Sequence, residues 1–167
     1  MPIRTVERST VRRLVVISRT PGGDLIATYG DVIVVSYASP SMEKAAGQLI
    51  ELADAELALG PRGVLSCIHA GVRASAGPAR EQLAALLARY REHIRGIATI
   101  VCGTGFRAAG MRSLIASIRL GSGGGYPSGT FTEPGAAAAW LAARVPDLDA
   151  GALADLVRSF EPLSDSA

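Results

Sequence analysis

Apolar and polar positions along this chain follow two different periods, and the order in which they alternate predicts the architecture. Leu14 to Ser18 opens with four apolar residues and has the length of a strand. Val32-Ile33-Val34-Val35-Ser36-Tyr37 is β-branched and almost continuously apolar, as expected of a strand covered on both faces. Between them Leu25 to Tyr29 predicts another short strand, bounded by the turn signals Pro21-Gly22-Gly23-Asp24 and Gly30-Asp31. These three runs predict an antiparallel meander.

From Pro40 the period changes to 3.6. Met42, Ala46, Leu49, Ala53 and Leu57 fall on one face of a helix that Ser39 or Ser41 can cap and that Gly60-Pro61 stops. Gly63 to Ala70 predicts the next strand. A helix from Pro78 to about Ile94 follows, with Leu83, Leu86, Leu87, Tyr90 and Ile94 as its apolar stripe. Ile97 to Cys102 predicts a strand, and Met111, Leu114, Ile115 and Ile118 predict the helix after it. Beyond the glycine-rich Gly121–Gly125 loop come a short strand over Ser128 to Thr132 and a helix over Glu133 to Val145 capped by Thr132. A final helix spans Leu148 to Phe160. Met42, Leu49, Leu83, Leu87, Leu114, Ile118 and Trp140 are expected in the core, each on the apolar stripe of its helix.

The order βββ-α-β-α-β-α-β-α predicts an α/β fold: a mixed sheet with antiparallel N-terminal strands, then βαβαβα units with parallel pairing, plus an extra C-terminal helix. Boundaries are expected at a flexible arm over 1–11, a domain over 12–145, and an appended helix and polar tail over 146–167. A length of 167 residues suits one domain with its own core. With 49% hydrophobic residues and a mean hydropathy of +0.28, wholesale disorder is excluded. No apolar run approaches the ~18 residues of a membrane span, and no signal-peptide run follows the basic start, so the expected location is cytoplasmic. The formal charge of +2 is too small for the basic stripe of a nucleic-acid binder. Lys44 is the single lysine among 17 basic residues, which with the abundant alanine looks like the codon bias of a GC-rich bacterial genome.

One segment near the end is the most specific: Phe131-Thr132-Glu133-Pro134-Gly135-Ala136-Ala137-Ala138-Ala139-Trp140-Leu141. Together with the element order and Gly96-Ile97-Ala98-Thr99-Ile100-Val101 followed by Gly105-Phe106-Arg107, it resembles the STAS domains and the SpoIIAA-like group around them. The resemblance covers about Asp31 to Val145. It implies a cytosolic, non-enzymatic regulatory or binding module that acts through a protein partner or a small anionic or lipidic ligand. In phosphorylatable STAS domains the loop after the third strand carries Asp-Ser-Ser-Gly. Here Ser75 and Gly77 match, while Ala74 and Ala76 replace the acidic residue and the second serine, and Arg73 adds a positive charge. Ser75 is thus the candidate phosphorylation position that the resemblance carries over.

Candidate chemistry is sparse. Cys67 and His69 are two apart on one strand, which places their Cα atoms ~6–7 Å apart on one face. At that spacing a direct proton relay is not expected, and with Cys102 distant in sequence no metal site is expected either. All three read as core or edge residues, and His93 as a solvated one. No catalytic residue, cofactor or metal is expected. Gly103-Thr104-Gly105-Phe106-Arg107 joins a strand to a helix, where free amides and Arg107 can meet an anion. Neither it nor Gly121-Ser122-Gly123-Gly124-Gly125 fits a nucleotide fingerprint. Arg112 and Arg119, a heptad apart, share a helix face that could dock a partner. Adjacent parallel strands would bring Arg73, Ser75, Gly77, Gly103, Thr104, Gly105 and Arg107 to one edge of the sheet, the usual place of ligand crevices in open α/β sheets. Two other readings stay open: a self-assembling homo-oligomeric subunit, and an enzyme using the loops at Ser75 and Gly103–Arg107.

Overall fold

The computed structural model describes residues 13–73 and 77–160. The expected arm over 1–11, Ser75, and the polar tail over 161–167 lie outside the described residues. Six strands run in the order of the chain: β1 (Leu14–Arg19), β2 (Leu25–Tyr29), β3 (Val32–Tyr37), β4 (Arg62–Ile68), β5 (Ile94–Val101) and β6 (Ser128–Phe131). The β1-β2 and β2-β3 pairs are antiparallel, and β3-β4, β4-β5 and β5-β6 are parallel. The mixed α/β sheet is therefore the one the pattern predicts. Helices α1 (Glu43–Leu59), α2 (Pro78–Arg89) and α3 (Phe106–Gly121) join the parallel strands, and α4 (Pro134–Ala142) and α5 (Ala150–Arg158) follow β6. No helix among the described residues is long and apolar enough to cross a membrane.

Every residue of β3 is buried, which requires cover on both faces. Ile33, Val35 and Tyr37 join Leu49, Leu57, Leu86, Leu87 and Met111 in a core built with α1, α2 and α3. Val32 and Val34 join Leu65, Ala98, Ile100, Leu141, Leu153 and Val157 in a second core under α4 and α5. Each such side chain taken from water stabilises by about 1.5–3 kcal/mol. The second face is closed by an unusually near approach. Gly63 and Gly96 are register partners on β4 and β5. A methyl on Gly63 would lie 2.7 Å from Val145 Cγ2, and one on Gly96 would lie 3.0 Å from Trp140 and Arg144. The alanine-rich α4 (Ala137, Ala138) can sit low on the sheet only because both positions lack a side chain.

Several local expectations need correction. Leu49 and Leu87 are buried, but Met42, Leu83, Leu114, Ile118 and Trp140 are only half-buried. The first four border a cleft described below. Trp140 lies near the sheet edge against Phe131, its rings 5.7 Å apart, with the Arg144 guanidinium 3.7 Å from its ring centre. Helix α2 ends at Arg89, a single 3-10 turn spans Arg91–His93, and Ile94 opens β5 opposite Arg62. His93 is not solvated: it is half-buried with Nδ1 2.6 Å from the Leu57 carbonyl, tying this turn to the end of α1. Thr132 does not cap α4. Pro134 takes the first helical position, so the N-cap is Glu133, and no side chain caps it. Met42, not a serine, is the N-cap of α1; Ser41 only approaches the Glu43 amide at 3.4 Å.

The start of the sheet is tied together by one carboxylate. Asp24 is buried and accepts hydrogen bonds from the amides of Ala38 and Ser39, both 2.8 Å, and from Thr20 Oγ1. The turn before β2 is thereby fixed to the end of β3. Burial alone would raise the Asp24 carboxyl, but the Ser39 hydroxyl, the two amides and Thr20 outweigh it and hold it below its ordinary value of 3.8.

Two predictions follow from this packing. Asp24→Asn should cost about 1.5–3 kcal/mol at neutral pH, the range for hydrogen bonds to a charged group. Because the folded pKa is the lower one, this contribution is complete above the unfolded value and is lost as pH falls through the folded value. In denaturant titrations the wild-type advantage should be flat from about pH 5 upward and shrink below about pH 4; an advantage that ignores pH would contradict this role. Gly63→Ala should destabilise by about 1–3 kcal/mol through overpacking. The same change at Gly47, exposed within α1 with nothing near its Cβ position, should stabilise by up to about 1 kcal/mol. Equal effects at the two glycines would show that the approach of α4 is not tight.

Candidate functional site

The most developed concavity lies beneath α3. Its roof is the stripe Met111, Leu114, Ile115 and Ile118, its wall is Leu83 and Leu87 of α2 with Met42, and its inner volume is about 120 Å³. An apolar cavity of about 150 Å³ holds a benzene-sized guest, so the space suits an apolar ring or chain segment. The sheet explains why α3 does not close down. Ser66, Thr99 and Thr130 are register partners across β4, β5 and β6, and all three line the cleft. Small hydroxyl side chains thus form the floor where a packed core would need large apolar ones. Helix α3 buries Ala108 and Met111 in its first half, while Leu114, Ile115 and Ile118 remain half-buried.

Polar groups occur at the margins of this cleft. Arg119 lines it and is exposed. Tyr126, buried in the lining, has its hydroxyl 2.8 Å from Ser122 Oγ. Tyr37 also lines it; burial first, then the negative charge of Asp24, push its phenol far above its ordinary value of 10.0. Tyr37 therefore remains neutral through the whole physiological range. Sequence reading placed the α3 stripe in the core and missed the cleft. The signal was present as Ser66, Thr99 and Thr130, whose alternation along three strands puts three hydroxyls beneath one apolar helix.

The edge chosen from sequence holds a second, shallower crevice of about 250 Å³. Gly103, Thr104 and Arg107 line it together with His69, Cys102 and Met111. Gly103 and Gly105 take φ of +85° and +84°, a backbone state that favours glycine and turns β5 sharply into α3. Gly105 is the N-cap of α3 and Gly77 that of α2. Arg73 and Gly77 are not in the lining of this crevice. Arg73 instead forms a bridge with Ser41, its amide donating to the Pro40 carbonyl at 3.0 Å. So the structure unites the Gly103–Arg107 loop with His69 and Cys102, not with Arg73. Arg112 and Arg119 are both exposed, and of the two Arg119 reaches the apolar cleft.

The spacing argument for Cys67 and His69 is corrected at the level of atoms. Their side chains lean together, Cys67 Sγ to His69 Nε2 3.9 Å, and Ser36 Oγ is 2.9 Å from the same Nε2. Distance between strand positions bounds Cα atoms, while side chains of this length close several ångströms. Cys102, 35 residues on, is brought to the same place by the β4-β5 pairing.

Comparison of the chain with family models, with curated proteins and with solved structures finds no match in any of the three.

The cleft predicts opposite signs for enlarging two neighbouring residues of β5. Thr99→Ile should fill free space and stabilise by about 1 kcal/mol, near the value of one buried methylene. Ala98→Ile, fully buried on the opposite face, should cost about 1–3 kcal/mol. Thermal and denaturant melts of the two variants check this; destabilisation by both would mean the floor beneath α3 is already packed.

Proposed function

We propose that this protein is a non-enzymatic, STAS-like binding module whose ligand is a small amphipathic anion, with its apolar part under α3 and its acidic group at Arg119. The observation that carries this reading is the pairing of an apolar roof with a row of hydroxyls, Ser66, Thr99 and Thr130, in an open cleft. An apolar site with a few convergent polar groups is the usual form of a small-molecule site. A long-chain carboxylate matches it in each part. Its chain replaces water along Leu114, Ile115 and Ile118, and its headgroup meets a guanidinium outside the apolar zone. The ligand class is lipidic and anionic, and regulation follows if occupancy changes how α3 lies.

The test is competition between laurate and an environment-sensitive anionic naphthalene dye, followed by fluorescence. Laurate should displace the dye from the wild type, and dodecyltrimethylammonium should do so at least tenfold less well. Arg119→Glu should weaken laurate about tenfold, roughly 1.4 kcal/mol. Ile115→Trp, which fills the cleft, should abolish displacement without lowering the melting temperature. If Ile115→Trp binds laurate like the wild type, or if the cationic amphiphile competes equally, the reading is wrong.

A further inference from the structure

From the cluster at the C-terminal edge of β4 and β5, we infer that Cys67, His69 and Cys102 form a binding site for a thiophilic divalent metal, zinc foremost, with a fourth position open to solvent. Backbone ladders build the cluster. The His69 amide donates to Tyr37 and the Cys102 amide to Ile68, carrying the parallel register past the strand ends. Alternation along β4 then sets Cys67 and His69 on the face that Cys67 shares with the second core. The two sulfurs and a ring nitrogen of His69 all lie within 4.8 Å of one another. A tetrahedral zinc with bonds of about 2.3 Å to sulfur and 2.0–2.1 Å to nitrogen needs ligand atoms roughly 3.5–3.8 Å apart. The Cys67–His69 separation of 3.9 Å is already close to this.

The donor set selects the metal. Two thiolates and an imidazole suit zinc, whereas magnesium and calcium need oxygen ligands. Both cysteines are thiols, with no disulfide between them. Cys67 and His69 are buried, while Cys102 is half-buried and, with His69, lines the 250 Å³ crevice beside Thr104 and Arg107. Three protein ligands at the wall of a crevice leave the fourth position for water or an anion held by Arg107. Ser36 is a neighbour of this site, not a ligand: its hydrogen bond to His69 Nε2 is exchanged for the metal. Binding requires both thiols to lose their protons, so it strengthens with rising pH.

The experiment uses the full chain, reduced and stripped with a chelator, then loaded with zinc or cobalt(II) and desalted. One metal per chain is expected by elemental analysis, with thiolate-to-cobalt charge-transfer absorption. Cys67→Ser and Cys102→Ser should each lose the metal on desalting, His69→Gln should weaken it at least tenfold, and Ser36→Ala should retain it. Alkylation of the unaltered protein covers the case in which a variant misfolds: zinc should slow iodoacetamide modification of both thiols at least tenfold. Substoichiometric metal, cobalt spectra without thiolate bands, unchanged retention by a folded Cys102→Ser, or thiols that zinc fails to protect would each overturn the site.

Discussion

Handedness governs this fold. A crossover between parallel strands is almost always right-handed, and here the strands follow one another across the sheet in chain order. Each of the three crossovers steps in the same direction, so α1, α2 and α3 fall on the same face. The other face receives no crossover helix at all. It is covered only by what remains after β6, the short helices α4 and α5. That explains why α4 is alanine-rich, why Gly63 and Gly96 stand opposite it, and why Leu153 and Val157 of α5 reach the same core. A short cover can exclude water only by lying low.

The same constraint produces the cleft. Helix α3 is the last of the three crossovers and must reach β6, an edge strand of four residues. Its second half lies over Ser66, Thr99 and Thr130, which offer no bulk to pack against. Helix α3 leans on α2 instead, and its apolar stripe keeps part of its surface open. Unfilled contact of this kind forfeits dispersion energy, so the arrangement makes physical sense when another molecule supplies the missing atoms. The two proposed sites lie on opposite faces of the sheet, one under α3 and the other on the α4–α5 side, and neither requires the other.

Element order and sheet type were legible because periodicity switches cleanly from 2 to 3.6 at Pro40 and again after each turn. The β3 run Val32–Tyr37 predicts burial on both faces, and all six residues are buried. What was not legible depends on residues distant in sequence. Leu114 and Ile118 read as core because a stripe on one helix does not show what lies opposite; the three hydroxyls come from three separate strands. His93 and Tyr90 read as ordinary helix-end residues. Their partners Leu57 and Asp54 on α1 draw the chain into a turn at the start of β5. The Cys67, His69 and Cys102 cluster was judged from spacing alone, which bounds backbone positions and not side-chain reach. Ser75, carried over from the family resemblance, falls outside the described residues.

Amide hydrogen exchange along α3, with and without laurate, tests the central claim most directly. If α3 covers a ligand site without packing fully, the amides of Leu114 to Gly121 should exchange faster than those of α1 in the free protein. Laurate should then slow them, and slow Thr99 and Thr130 beneath them, while leaving α4 and α5 unchanged. An α3 protected as strongly as α1 in the free protein and indifferent to laurate would contradict the account.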